Sequence, residues 1–232
     1  MLKIPERNRL ILALPPEDRA ILLTAASPVE FSLSQVFAEP GDRLDHVHFV
    51  EAGIVSAVAI MQDGRTVETY MVGSEGMTGI CAFAVDIPAY SRLVAQSDGA
   101  ARRIETGRLR ALTEERPELR RVLTEYAARL KQELEQSSAC NALHRSDQRF
   151  AKWLLRCHDR LDGDDLNLTQ EYLASMLGSQ RTTVNEAAQQ LQRVGAISYS
   201  RGRVRIMDRG ALERAACECY RSWPAGLQPT FA

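Results

Sequence analysis

The sequence predicts an α+β fold in three parts: a β-rich N-terminal region, a long helix, and a C-terminal helix-turn-helix followed by a β-hairpin. Three observations carry this. Short strand patterns separated by turn signals run from Val29 to Ile104. A helical spacing of apolar residues then starts at Pro117, and no further Pro or Gly interrupts the chain until Gly163. Finally, "TQEYLASMLGSQRTTVNEAAQQLQ" sets two helical patterns on either side of Gly178, and "AISYSRGRVRIMD" follows with strand alternation around Arg201-Gly202. The expected boundaries are residues 1–104, 105–143 and 144–232.

Composition is that of a globular protein. The 232 residues are 45% hydrophobic and 25% charged, long enough for two domains. A net charge of −1 carries no information as a total, so its distribution must. At the start, "MLKIPERNRLILALPPEDRA" places Arg7, Asn8 and Arg9 before a short apolar run that ends at Pro15-Pro16, too short for a signal peptide. No run of roughly 18 apolar residues exists, so no membrane helix is expected. The cysteines, Cys81, Cys140, Cys157, Cys217 and Cys219, are odd in number and scattered, which fits a reducing cytoplasm.

Taken in order, residues 8–26 read as helical, with Leu10, Leu14 and the Ala20-Ile21-Leu22-Leu23 cluster as apolar anchors. "VHFVEAGIVSAVAI" and "TVETYMVG" are rich in β-branched and aromatic residues, and Asp63-Gly64 between strand patterns is a hairpin signal. Many short strands at this spacing suggest a small barrel or sandwich. In the long helix, Leu119, Leu123, Tyr126, Leu130 and Leu134 step by four, three, four and four. Such a narrow seam must be covered, by the β-region or by the same helix of a second subunit. Ser137-Ser138 weakens its far end. The next helix, "SDQRFAKWLLRCHDRL", offers Phe150, Trp153, Leu154 and Leu161 as core candidates.

In the helix pair, Thr169 is a good N-cap and Glu171 complements the helix dipole. Leu173 and Leu177 form an inner face, Ala174 permits a close crossing, Gly178 suits the turn, and Val184 packs the second helix back. The second helix divides. Val184, Ala187, Ala188 and Leu191 keep apolar spacing, whereas Arg181, Thr182, Asn185 and Glu186 project from its first turns. A recognition helix presents such side chains to base edges there: Arg to guanine, Asn to adenine, Glu to cytosine, Thr to the thymine methyl. From Leu177 to Arg209, six arginines stand against Glu186 and Asp208, an excess of four positive charges in a chain of net −1. Arg201 and Arg203 on the hairpin are candidate phosphate contacts.

A β-region, a long helix and a winged helix-turn-helix, in this order, resemble the Crp/Fnr superfamily of bacterial transcription regulators. The firmest pieces are "PGDRLDHVHFVEAGIVS", "RFAKWLLRCHDRL" and "LTQEYLASMLGSQRTTVNEAAQQLQRVGAIS". The resemblance implies a jelly-roll-like β-roll (a double-stranded β-helix) and a dimer interface on the long helix at Leu119, Leu123, Tyr126, Leu130 and Leu134. It also implies a winged domain that binds a palindromic operator. Arg181 matches the family's guanine-reading arginine. Thr182 and Glu186 stand where many members carry a glutamate and an arginine, so a different half-site is expected. Thr169 and Thr183 join Arg201 and Arg203 as implied phosphate contacts. The implied partners are operator DNA, a second copy of the chain and RNA polymerase, with a small-molecule effector left open.

Members that bind cyclic AMP use a Gly-Glu pair and an Arg-Ser/Thr pair. Thr78-Gly79 and Ala89-Tyr90 stand there instead, Arg92 is out of register and Glu75 is displaced, so cyclic AMP is not expected. An iron–sulfur cluster of the Fnr type needs N-terminal cysteines, and the first here is Cys81. His46 and His48 share one strand face and read as surface residues, not haem ligands. Cys217-x-Cys219 reads as a lone pair without further ligand partners, and Cys140 and Cys157 as buried thiols with a redox role left open. No cofactor or metal site is expected. An enzyme is disfavoured by the lack of a Gly-rich phosphate loop, a "GxSxG" elbow or a metal triad, and His144, His158 and the acids of "DGDDLN" read as solvated charges. A sensor module acting through protein contacts is the second reading, against which the Arg-rich hairpin and the Arg181/Asn185 face speak.

Overall fold

The computed structural model describes residues 4, 6–167, 172, 173, 175, 178, 180–200 and 202–220. The chain divides into two compact units: the first holds Met1–Ile60 and Thr69–Glu133, the second Met61–Glu68 and Leu134–Thr230. The division thus falls inside the long helix. None of the described helices is long and apolar enough to cross a membrane.

The first unit opens with α1 (Arg9–Leu12) and α2 (Pro16–Ala25). Asn8 caps α1, its Oδ1 accepting from the Ile11 N–H at 3.2 Å. Its Nδ2 donates to the carbonyls of Val50 and Gly76, both at 2.8 Å, so one buried amide ties the N-terminal turn to the β-region. Glu51 completes the tie: it accepts from the Asn8 N–H at 2.7 Å and from Arg102 Nε at 3.4 Å. A carboxylate this buried is tolerated because each oxygen has a donor.

Seven strands follow among the described residues: β1 (Ser27–Phe31), β2 (Val36–Ala38), β3 (His46–Ala52), β4 (Val55–Ile60), β5 (Thr66–Val72), β6 (Arg92–Ala95) and β7 (Gly99–Glu105). They form two sheets, ordered β1-β7-β3 and β2-β6-β4-β5, with Asp63-Gly64 in the turn between β4 and β5. Phe31, Val50 and Ala101 from the first sheet and Ala38, Val55, Ala57, Val72, Leu93 and Ala95 from the second fill one core. On the other side of β3, Val47 and Phe49 meet Leu10, Ile11 and Leu22 of the N-terminal helices, Leu109 and Leu112 of α3 (Thr106–Glu115), and Leu119, Val122, Leu123 and Tyr126 of α4 (Pro117–Leu143). Both faces of β3 are therefore covered, and every residue between its two ends is buried.

Two sequence expectations change here. Leu119, Leu123 and Tyr126, expected as a dimer seam, are core residues of their own chain; with Leu130 they are at most 8% exposed and leave almost nothing for a second copy to cover. Leu134 is half-buried. The seam periodicity specified burial, and the β-region is what buries its first half. Tyr126 sits so close to Gly76 that a Cβ there would overlap the Tyr126 hydroxyl, which accounts for the glycine in "GSEGM".

His48 is the second change. Read as a surface residue, it is 8% exposed. It lies on the face of β3 opposite Phe49, edge-on to Phe37 with ring centroids 4.7 Å apart. Burial, then the nearby Arg103 charge and His46, bring its pKa down to about 4.

The second unit contains the end of α4, α5 (Ser146–His158), β8 (Asp165–Asn167), α6 (Arg181–Arg193), β9 (Ile197–Ser200), β10 (Arg203–Ile206) and α7 (Arg209–Ala215), then a short 3-10 turn at Glu218–Tyr220. α5 buries Phe150, Trp153, Leu154 and Leu155 and packs against α6 and α7. The strands form a sheet in the order β8-β10-β9.

Because His48 stays neutral in the folded chain down to about pH 4, its unfolded counterpart binds a proton first as pH falls. The resulting stability is fully present above about pH 6.5 and is lost as pH drops towards 4, by an upper bound on the order of 3 kcal/mol. Denaturant unfolding of wild type and His48→Gln at pH 7 and pH 4.5 should show the wild type losing more. Parallel losses would refute the assignment.

Candidate nucleic-acid interface

α6 is preceded by Gln180, whose backbone is extended, and has no acidic residue in its first turn. Val184, Ala187, Ala188 and Leu191 are buried, all at most 4% exposed. This stripe fixes the rotation of the helix. Arg181, Thr182 and Glu186 consequently face outwards, with Thr183 and Asn185 half-buried at the margins. Before it, Leu173 is helical and buried, and Gly178 takes the left-handed conformation (φ 58) that the turn was expected to need. Glu171, Ala174 and Leu177 lie outside the described residues, as do Thr169 and Arg201 of the proposed phosphate set.

The helix ends in a paired cap. The Ala196 N–H donates to Leu191 O and the Gly195 N–H to Gln192 O, both at 3.0 Å, with Gly195 at φ 71. This is the Schellman arrangement, which needs a left-handed residue where the chain leaves the helix. The Gln192 side chain then accepts from the Tyr199 N–H at 2.7 Å, joining the helix to β9.

On β10 the alternation is complete: Arg203 and Arg205 are exposed while Val204 and Ile206 are buried. Arg203 pairs with Ser200 of β9 and Asn167 of β8, at the turn end of the hairpin. Arg205 lies 3.8 Å from Asp165. Arg209, counted from the sequence among the basic residues, faces inwards in its interactions. It binds Asp159 Oδ1 at 2.6 Å, His158 Nδ1 at 2.8 Å and Glu213 at 3.2 Å. The local positive charge is correspondingly smaller than the count. His158 also contacts Asp164 at 2.9 Å, so it is a structural partner in this network and not a solvated loop charge.

The nucleotide stretch is occupied by internal contacts. The Thr78 hydroxyl accepts from the His48 N–H at 2.9 Å, and Arg92 Nε bonds Glu39 at 2.9 Å. Ala89 is buried, and Tyr90 is 83% exposed.

Sequence reading missed one grouping. Cys217 and Cys219 are not a lone pair: Cys140 and His144 lie beside them. The only linear signal is the i,i+4 spacing of Cys140 and His144, which places both on one face of α4. Burial opposes ionisation of Cys140, but hydrogen bonding with His144 and the Lys152 charge outweigh it and hold the thiol at about 7. Burial and the hydrogen bond with Cys140 push Cys217 up to about 12, so Cys140 ionises first.

A two-sheet β-region, a long helix, a helix with a polar outer face and a β-hairpin, in this order, are the parts of a two-domain DNA-binding regulator. Residues 28–116 match the cyclic nucleotide-binding domain, and residues 148–215 match the Crp-like helix-turn-helix domain. The chain is 29% identical over 224 residues, 92% of its length and 99% of the relative's, to the "CRP-like cAMP-activated global transcriptional regulator" of Mycobacterium tuberculosis. Among solved structures it is similar to a CRP-family transcriptional regulator from Thermus thermophilus, with TM-score 0.68 and 21% identity, covering 81% of this chain and 96% of that one. It is also similar to FixK2 from Bradyrhizobium japonicum, with TM-score 0.69 and 18% identity, covering 83% and 98%. The chain belongs to the Crp/Fnr superfamily and is a DNA-binding transcription regulator of that type.

No atom lies within 4 Å of a Cβ built on Gly195. Gly195→Ala should therefore cost only backbone strain, about 1 kcal/mol. Chemical denaturation would show a lowered midpoint at unchanged slope; an unchanged midpoint would mean that the cap contributes nothing.

Proposed function

We propose that this regulator binds a palindromic operator as a homodimer, each copy laying α6 in the major groove. The division of α6 carries the reading: its buried stripe aims Arg181, Thr182 and Glu186 outwards, with Asn185 at the margin. Arg181 reads guanine, Asn185 adenine, Glu186 the cytosine amine, and Thr182 the thymine methyl. Arg203 and Thr183 hold phosphates, with Thr169 and Arg201 assigned the same role from the sequence. Two copies would read half-sites about 34 Å apart. Since the first half of the α4 seam is buried within the chain, we place pairing on the later part of that helix, where Leu134 is half-buried and Leu143 is exposed. We assign RNA polymerase as its protein partner and the cytoplasm as its place of action, in a role that needs no catalytic step.

Selection of bound sequences from a random pool should return a palindrome whose half-site departs from the family's usual one, because Thr182 and Glu186 replace the commoner side chains. Arg181→Ala should weaken the selected site by about 1–3 kcal/mol and relax one base position, whereas Arg203→Ala should weaken all sequences alike and reduce the salt slope by about 1. Binding indifferent to both substitutions would refute the interface.

The mycobacterial relative is named as cAMP-activated. Here Thr78 and Arg92 are engaged within the chain, and Ala89 offers no side-chain donor. We propose that cyclic AMP is not the effector. Millimolar cyclic AMP should leave the melting temperature unchanged, and a saturable rise would overturn this.

A further inference from the structure

Two distant parts of the sequence converge in the second unit. Cys140 and His144 lie one turn apart near the end of α4, and Cys217 and Cys219 lie beside and on the 3-10 turn after α7. Their ligand atoms all fall within 4.8 Å of one another. Cys140 Sγ is 3.6 Å from Cys217 Sγ, and Cys219 Sγ is 3.4 Å from His144 Nδ1. A tetrahedron with ordinary zinc–sulfur and zinc–nitrogen bonds has edges of about 3.8 Å between sulfurs and about 3.5 Å between sulfur and nitrogen. These two separations match those edges, and the other four lie within 4.8 Å. We propose that Cys140 Sγ, His144 Nδ1, Cys217 Sγ and Cys219 Sγ form a closed, structural zinc site.

The surroundings support a metal over three thiols that merely pack together. His144 turns Nδ1 to the cluster and Nε2 to Glu218 Oε1 at 3.0 Å, the carboxylate–histidine pairing that fixes a ligating tautomer. Gln136 Nε2 donates to Cys219 Sγ at 3.0 Å, and Lys152 Nζ donates to Cys140 Sγ at 3.3 Å. Lys152 is only 8% exposed. A lysine this buried favours a fully charged neighbour, which a metal-bound Cys140 thiolate supplies. Zinc with three thiolates and a neutral histidine carries one net negative charge, which the ammonium balances. On binding, the thiols release their protons to solvent. The three cysteines are at most 4% exposed, so no position is open for water or substrate and the site is structural.

A disulfide between Cys140 and Cys217 is the competing use of these atoms. It requires the sulfurs to close from 3.6 Å to about 2.05 Å, and it leaves Cys219 and His144 without a role. The zinc site instead pins the segment after the winged domain to the end of α4. Its readouts are metal content and spectra, not DNA binding, so it stands or falls apart from the operator reading.

The untagged full chain, produced in zinc-supplemented medium and desalted, should carry about one zinc per chain by mass spectrometry of its metals. Titration of the chelated, reduced protein with cobalt(II) should give the intense visible bands of tetrahedral thiolate coordination. Zinc should displace the cobalt. The double variant Cys217→Ser/Cys219→Ser should lose both signals, while Cys81→Ser keeps them. The wild-type cobalt spectrum decides between the two outcomes even if the double variant fails to fold. Absence of metal together with octahedral cobalt spectra, retention of metal by the double variant, or a Cys140–Cys217 disulfide in the freshly isolated protein would each overturn the site.

Discussion

The rotational setting of α6 is the constraint on which the proposed DNA-binding surface depends. Four residues, Val184, Ala187, Ala188 and Leu191, are withdrawn from water on one side of the helix. Burying Val184 and Leu191 alone contributes about 1.5–3 kcal/mol each, far more than any exposed contact on the opposite side. A turn of the helix by one residue would expose this stripe and drive Arg181 or Glu186 into the packed interior, with a desolvation penalty no partner offsets. The outward direction of Arg181, Thr182 and Glu186 is therefore a consequence of core packing. The Schellman cap at Gly195 and the Gln192–Tyr199 bond then hold β9 and β10 against the same helix, so the arginines of the wing inherit that orientation.

In the first unit a similar logic operates with different residues. The face of β3 bearing Val47 and Phe49 is sealed by helices, and α4 supplies Leu119, Val122, Leu123 and Tyr126 to that seal. "GSEGM", within the stretch that cyclic-AMP-binding members use for recognition, here contributes a glycine that admits the Tyr126 ring and a carbonyl that Asn8 binds. The polar groups of the neighbouring stretch are likewise matched within the fold: Thr78 to His48, Arg92 to Glu39 and Arg102 to Glu51. These contacts hold the strands and turns of the two sheets together within the chain.

Periodicity made much of this visible in the sequence. The split of α6, the Asp63-Gly64 turn, the alternation of Val204 and Ile206 with Arg203 and Arg205, and the glycine at the end of α6 are local features, each decided within a few residues. They could be read because the 3.6- and 2-residue repeats and the left-handed preference of glycine act at that range. The apolar seam of α4 was legible for the same reason, as something that must be covered.

What covers it was not. Periodicity says that a face is buried, never against what, and only the tertiary structure assigns Leu119, Leu123 and Tyr126 to the β-region instead of a second copy. His48 illustrates the same limit: strand alternation placed it on a face, and the sheet that closes over that face made it a core residue. Arg209 counted as surface charge until Asp159 and His158 were brought to it. The gathering of Cys140 and His144 with Cys217 and Cys219 joins positions 77 residues apart in the case of the nearest sulfur pair. By itself the sequence determined which residues form helices, strands and caps, and which side of each is apolar, because those depend on near neighbours. Which apolar sides meet, and which charges and thiols converge, was decided by chain topology, because contacts between distant segments exist only once the intervening chain has folded.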